Sequence, residues 1–348
     1  MIIRDQRSEI RDQRVYYFDF LRVVGVLAVI AIHSCGGIFS IDINTFEWNV
    51  TSFYNASVRW AVPVFVMISG ALFLGRDIPL RRLYGKNILR IFTALFFWSF
   101  VYALYGYTKS GKLRGAIEAF VYGRYHLWFL YMLIGLYIIV PVMKKIAESE
   151  FASKYFLALS LIFAFIIPQG IISIRLIRIG FSNGVESFIN RFSIKLVSGY
   201  VGYFLLGYFL NNIDISHKTT RKIYIAGILG FCGAVLMSTA ASLIINKAHA
   251  EFYRPLSINI LCESIAIFVF FKKNFNWPSR FIMTLSKYSF GAYLVHDMIL
   301  TFSNHIGINA EMCNPIISIP ARVIFVFVLS FAVSGILNHI PVLKKYIV

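Results

Sequence analysis

Asp19, Arg22 and His33 interrupt the first apolar run of the chain, FDFLRVVGVLAVIAIHSCGG at residues 18–37, and all three are of types that bind charge or move protons. An imidazole with an ordinary pKa near 6.5 accepts and returns a proton at neutral pH. A guanidinium grips phosphate or carboxylate through several directed hydrogen bonds. A charge at mid-bilayer costs roughly 2.5 to 3.5 kcal/mol on insertion scales, so ionisable residues in such runs face a bundle interior or a wet cavity and mark function by default. The same criterion selects Arg59 and Ser69, His126, Glu263, His296, Asp297 and Arg322 in later apolar runs. On the first run Arg22 and His33 are eleven residues apart. On a helix that is three turns plus about 20°, so both project from one face roughly 16 Å apart, with Asp19 on the same stripe.

The elements that must carry these groups are membrane helices. The 348 residues are 58% hydrophobic and 14% charged, with 34 Phe and 20 Tyr, more apolar surface than a single soluble core hides. Ten runs of suitable length lie near 18–37, 56–75, 88–107, 126–143, 155–172, 195–211, 223–245, 254–271, 288–307 and 315–337. The expected fold is therefore an all-α integral membrane protein of about ten transmembrane helices around a polar cavity. Lys and Arg number 21 in the N-terminal tail, the even loops and the C-terminal tail, against 10 in the odd loops, which places both termini in the cytoplasm. The expected organisation is a cytoplasmic N-terminal tail over 1–17, a transmembrane domain over 18–340 and a cytoplasmic C-terminal tail over 341–348. The repeat RDQRSEI-RDQR, Arg4 to Arg14, reads as a solvated leader and not as a secretory signal.

Composition also removes alternatives. The net charge of +18 falls in short clusters between apolar runs, the pattern of membrane topology and not of nucleic-acid binding. Cys35, Cys232, Cys262 and Cys313 are scattered, so neither a metal site nor a disulfide framework is expected. Taken singly, each polar residue has a plainer reading: Arg22 snorkelling to lipid phosphate, His126 with Tyr125, Trp128 and Tyr131 in an interfacial aromatic belt, Ser289, Tyr293, His296 and Ser303 in interhelical hydrogen bonds. A glycan or lipid-linked sugar transporter would also need a polar cavity, although no inverted repeat or matched pair of broken helices is visible.

FDFLRVVGVLAVIAIH, an Asp-x-x-Arg followed by His on the opening helix, resembles the signature of the acyltransferase-3 family of membrane-bound acyltransferases. RWAVPVFVMISGALF (59–73), HLWFLYMLIGLYIIVP (126–141), GYFLLGYFL (202–210) and SFGAYLVH (289–296) resemble further family stretches in the same order. The chain is most similar to the bacterial branch that O-acetylates surface polysaccharides such as O-antigen or enterobacterial common antigen. One departure concerns an Arg-x-x-Arg pair common at the start of the third helix, where NILR here has Asn87 and only Arg90. The resemblance implies acetyl-CoA as acyl donor with no metal, a surface or lipid-linked glycan as acceptor, membrane lipids as surroundings, and a multi-pass location in the bacterial inner membrane. It implies a catalytic group of His33, Arg59, His126, Glu263 and His296, with His33 the general base, acting directly or through a brief acyl-histidine. Asp19, Arg22, Arg81, Arg82, Lys86 and Arg90 would hold the donor, and Trp128 and Arg322 would meet the acceptor. Arg59 or Arg322 would stabilise the oxyanion or bind an anionic acceptor, and Glu263 or Asp297 would orient His33.

Overall fold

A computed structural model of the chain describes residues 14–177, 184, 187, 188, 191 and 196–348. The leader repeat up to residue 13 and position 195, the start of the sixth expected segment, lie outside the described residues. Among the described residues every regular element is helical. All ten expected segments contain helix.

Helix α1, Tyr17–Ser34, is followed by a 3-10 turn, and α2, Phe46–Ser57, leads into α3, Ala61–Leu74. A short turn at Leu80–Arg82 and a π-turn at Leu83–Ile88 open α4, Leu89–Ser110. The amphipathic α5, Leu113–Tyr122, folds back along α4, with Phe120 edge-on to Phe96 at 5.0 Å. Then come α6, Trp128–Ile138, and α7, Val140–Glu148. Glu150–Leu176 forms α8, whose π-turn at Leu161–Ile166 precedes Pro168; the wide turn accommodates a ring that would clash with the carbonyl four residues back. The chain continues through α9, Val201–Asn212, α10, His217–Ile245, α11, Ile258–Asn274, α12, Arg280–His305, α13, Pro315–His339, and α14, Pro341–Tyr346. Side chains fix several of these starts: Thr45, Ser216, Ser257, Ser279 and Asn314 each accept a hydrogen bond from a backbone N–H in the first turn they cap.

Seven of these segments are long and apolar enough to cross a membrane, and an eighth follows if Leu113–Ile138 and Val140–Glu148, bent by 57°, make one span. Two of the ten expected segments fall outside that set. With 12 residues α9 is about 18 Å long, short of a bilayer core. Helix α12 is 26 residues long but carries Arg280, Lys287, His296 and Asp297 among several hydroxyl residues.

The fourth segment, expected as one run over 126–143, is instead an interrupted element. Gly123, at φ +71°, ends α5 in a conformation that suits glycine, and a 3-10 turn at Tyr125–Leu127 starts α6. Pro141 then sits in the first turn of α7, where its missing N–H costs nothing.

Helix α1 is central, packed against α3, α12 and α13. Helices α3 and α9 cross so closely that a Cβ on Gly70 would lie 1.7 Å from the Phe204 carbonyl oxygen and one on Gly207 2.0 Å from that of Met67. Backbones approach this way in membranes only across small residues. The crossing brings α9 flush against α3, which in turn faces α1 with Phe65 against Gly25. Residues 341–348 turn back onto α4, where Thr93, Trp98 and Arg90 donate hydrogen bonds to the carbonyl oxygens of Tyr346, Ile347 and Val348 at 2.6, 3.3 and 2.6 Å.

Candidate active site

Three histidines from three separate elements meet inside the bundle. His33 projects from the last turn of α1, His126 from the 3-10 turn that restarts the interrupted segment, and His296 from the middle of α12. The rings of His33 and His296 stack at 5.2 Å, and His126 stands edge-on to His296 at 4.9 Å. His296 is fully buried. Its Nδ1 lies 2.5 Å from the Tyr293 carbonyl oxygen, which only accepts, so Nδ1 carries the hydrogen and Nε2 presents a lone pair. That Nε2 has no hydrogen-bond partner among the described residues, whereas His126 has the Leu294 backbone within its reach. A buried imidazole nitrogen without a partner is costly.

Tyrosines complete the cluster. Tyr125 lies edge-on to His33 at 5.0 Å and to His126 at 5.6 Å, Tyr102 stands 5.2 Å from His126, and the Tyr293 hydroxyl donates to the His126 carbonyl oxygen. Asp297, next to His296, is buried and accepts hydrogen bonds from Arg124 Nε at 2.6 Å and from the Tyr125 hydroxyl at 2.7 Å. Those two bonds clamp the turn at residues 124–126 onto α12. Neither carboxylate expected to orient His33 hydrogen-bonds to it: Asp297 acts through Tyr125, and Glu263 sits on α11 beside Ser264 and Tyr203 with Oε2 unpartnered.

At the other end of α1 a second polar group forms. Asp19 is buried and receives Ser286 Oγ at 2.6 Å, Arg14 Nε at 2.8 Å and Arg22 Nη1 at 3.3 Å, which fastens α1 to α12. Arg22 is also within electrostatic reach of Tyr137 and Arg76. His33 has titratable or charged groups on several sides, His296, His126, Asp297 and Arg59. Both Arg22 and His33 are ringed by protein and yet keep accessible surface, the condition of side chains that line an internal cavity. Between them Val62, Phe65, Ser69 and Leu72 of α3, three or four residues apart on one helix face, are likewise partly accessible.

The remaining expected residues divide. Arg59 donates to Asn55 Oδ1 at 2.5 Å, lies 4.9 Å over the Tyr253 ring and is part-accessible on the His33 side. Arg322, within electrostatic reach of Cys35 and Tyr125, donates to Asn304 at 2.8 Å and, at 3.3 to 3.5 Å, to Ser303 and the carbonyl oxygens of Ser34 and Leu300. It thus ties the carboxyl ends of α1 and α12 to α13, where a cation complements two helix termini. Trp128 packs on Tyr200 at 5.7 Å and is part-exposed. Arg81, Arg82 and Lys86 are exposed around the π-turn before α4, whereas Arg90 is bonded to the Val348 carbonyl oxygen and covers the Phe290 ring.

Sequence reasoning did not single out Arg124 or Tyr102, and its plainer readings put Tyr125 in an interfacial belt and Tyr293 in interhelical bonding. Their signal was present in the order of the chain: Arg124 and Tyr125 immediately precede His126, and Asp297 immediately follows His296. Among the described residues no three His, Cys, Asp or Glu side chains are arranged to hold a metal ion. A family model described as an acyltransferase domain matches residues 15–339, nearly the whole chain. The protein belongs to the acyltransferase-3 family, and is a membrane acyltransferase. Comparison with curated proteins and with solved structures finds no match.

Proposed function

We propose that this protein is an O-acyltransferase that moves an acetyl group from cytoplasmic acetyl-CoA to a hydroxyl of a cell-surface or lipid-linked glycan, as a multi-pass protein of the bacterial inner membrane. The single observation that carries the reading is the convergence of His33, His126 and His296 at one end of α1 while Arg22 and Asp19 hold the other. In this reading ten segments cross the membrane with both termini inside, α9 and α12 among them, so that Arg22 lies at the cytoplasmic edge and His33 in the outer half. Arg22, with the basic stretch from Arg76 to Arg90, meets the phosphates of the donor. The pantetheine arm runs past Phe65 and Ser69, and the roughly 16 Å between Arg22 and His33 is the distance it has to cover.

His33 removes the proton from the acceptor hydroxyl as its oxygen attacks the thioester carbonyl. Arg59, whose guanidinium faces the same cluster with no acidic partner among the described ion pairs, stabilises the oxyanion. The carbon–sulfur bond then breaks, the ester remains on the glycan, and the leaving thiolate takes the proton back from His33. His296 supports the His33 ring by stacking, and Trp128 offers an aromatic face to the sugar. The test is His33→Ala against Arg22→Ala in purified, correctly inserted protein. His33→Ala is expected to abolish transfer while acetyl-CoA still binds; Arg22→Ala is expected to weaken donor binding and leave acceptor choice unchanged. Normal glycan acetylation by His33→Ala refutes the reading.

A further inference from the structure

An apolar groove lies behind the histidine cluster, on the far side of α12. It has a volume of about 270 Å³ and no polar surface in its lining. Its walls are Phe97, Trp98 and Val101 of α4, Val295, Met298 and Ile299 of α12, Val333 and Leu337 of α13, and its floor is Leu343, Ile347 and Val348 beside α14. Phe96, Phe100 and Leu104 on α4 and Ile336 on α13 are exposed near these walls, so the groove is bordered by surface of the kind that meets hydrocarbon.

Its two ends differ. The floor at Val348 is level with Gly291, whose added Cβ would stand 3.2 Å from that of Val348, and the top is at Ile299, eight residues further along α12. Eight helical residues rise about 12 Å, close to the roughly 15 Å hydrocarbon depth of one leaflet. At the floor Lys344 and Lys345 follow Leu343 and are exposed, while Arg90 is taken up by its bond to the Val348 main-chain oxygen. No acidic residue occurs in 78–117 or 312–348, which supply α4, α13 and α14.

We propose that this groove is a binding site for an anionic diacyl phospholipid, with one acyl chain between α4, α12 and α13 and the phosphate on Lys344 and Lys345. A neutral lipid would fill the slot equally well but would leave the basic rim unmatched, and near a membrane surface each lysine favours an anionic headgroup by about fivefold, or about thirtyfold for the pair. The site is separate from the acyl-transfer reading and does not depend on it.

The experiment is native mass spectrometry and thermal unfolding of the full-length protein after exchange into phosphatidylglycerol or phosphatidylcholine. Wild type is expected to retain phosphatidylglycerol preferentially and to unfold at a higher temperature with it. Lys344→Gln with Lys345→Gln should reduce that preference by roughly thirtyfold while leaving total lipid retention intact. Leu337→Trp, which fills the slot, should remove the tightly held lipid altogether. Equal retention of the two lipids by wild type overturns the proposal, as does an unchanged preference in the double lysine variant. Recovery of a polyprenyl phosphate in place of a diacyl lipid overturns it as well. The lysine variant lies on the surface, so the proposal stays testable if Leu337→Trp fails to fold.

Discussion

Replacing Asp297 with alanine removes two hydrogen bonds, to Arg124 Nε and to the Tyr125 hydroxyl, without touching any histidine. Their energies are unequal. The Arg124 side chain is 44% exposed, so water takes over much of its pairing and its share is about 1 kcal/mol or less. The Tyr125 hydroxyl bonds a buried carboxylate, and hydrogen bonds to charged groups contribute about 1.5 to 3 kcal/mol. Together the loss is about 1.5 to 4 kcal/mol, which in this structure holds the Tyr125 ring 5.0 Å from that of His33. If positioning His33 is where that energy acts, kcat falls roughly 10- to 700-fold at about 1.4 kcal/mol per decade. Tyr125→Phe keeps the ring and the Arg124 pair, and is expected to lose roughly 10- to 140-fold. The proposed donor grip is at the other end of α1, so on that reading KM for acetyl-CoA should not move. Initial rates of coenzyme A release in proteoliposomes measure both constants. A kcat within twofold of wild type for Asp297→Ala, in protein with normal insertion and thermal unfolding, refutes the positioning argument; so does a loss confined to KM.

Two further outcomes test the scaffold. Gly207→Ala forces a methyl group to within 2.0 Å of the Met67 carbonyl oxygen, backbone that cannot swing aside, and should destabilise the α3–α9 crossing by about 3 kcal/mol or more. An unchanged unfolding temperature in detergent would show that the helices part freely. His249, in the loop between α10 and the turn at Glu251–Tyr253, is held below its ordinary value of 6.5 by partial burial, and its Nε2 has no partner. A depressed histidine binds fewer protons folded than unfolded, so stability is full above that ordinary value and declines as pH falls below it. His249→Gln should flatten that acid-side decline in thermal scans, and parallel wild-type and variant profiles contradict the assignment.

Much of the helical plan was legible because each apolar run is long and uniform, and the α1 stripe was legible because eleven residues return to the same helix face. The convergence of His33, His126 and His296 followed from one rule, that ionisable groups in apolar runs turn inward. What stayed hidden depends on breaks and on distant partners. The interruption at Gly123–Leu127 lies in a stretch whose composition suits an interfacial belt, and only the positive φ of Gly123 and the clamp from Asp297 distinguish the two. Arg322 was read by type alone, and its bonds to Ser303, Asn304 and the buried carbonyl oxygens of Ser34 and Leu300 are ones that no spacing rule reveals. Arg90 was likewise read by charge, while its bond goes to Val348, 258 residues away.

The ion pair across the interrupted segment has a consequence for how the molecule is made. Arg124 and Asp297 are separated by 173 residues. A ribosome adding about 5 to 20 residues per second needs roughly 9 to 35 s to cover that stretch. Throughout that interval the half-built bundle holds an arginine whose carboxylate has not yet been synthesised, so the 124–126 turn cannot settle until α12 arrives. Assembly of the histidine cluster is therefore a late event of biogenesis, coupled to one of the last helices to leave the ribosome.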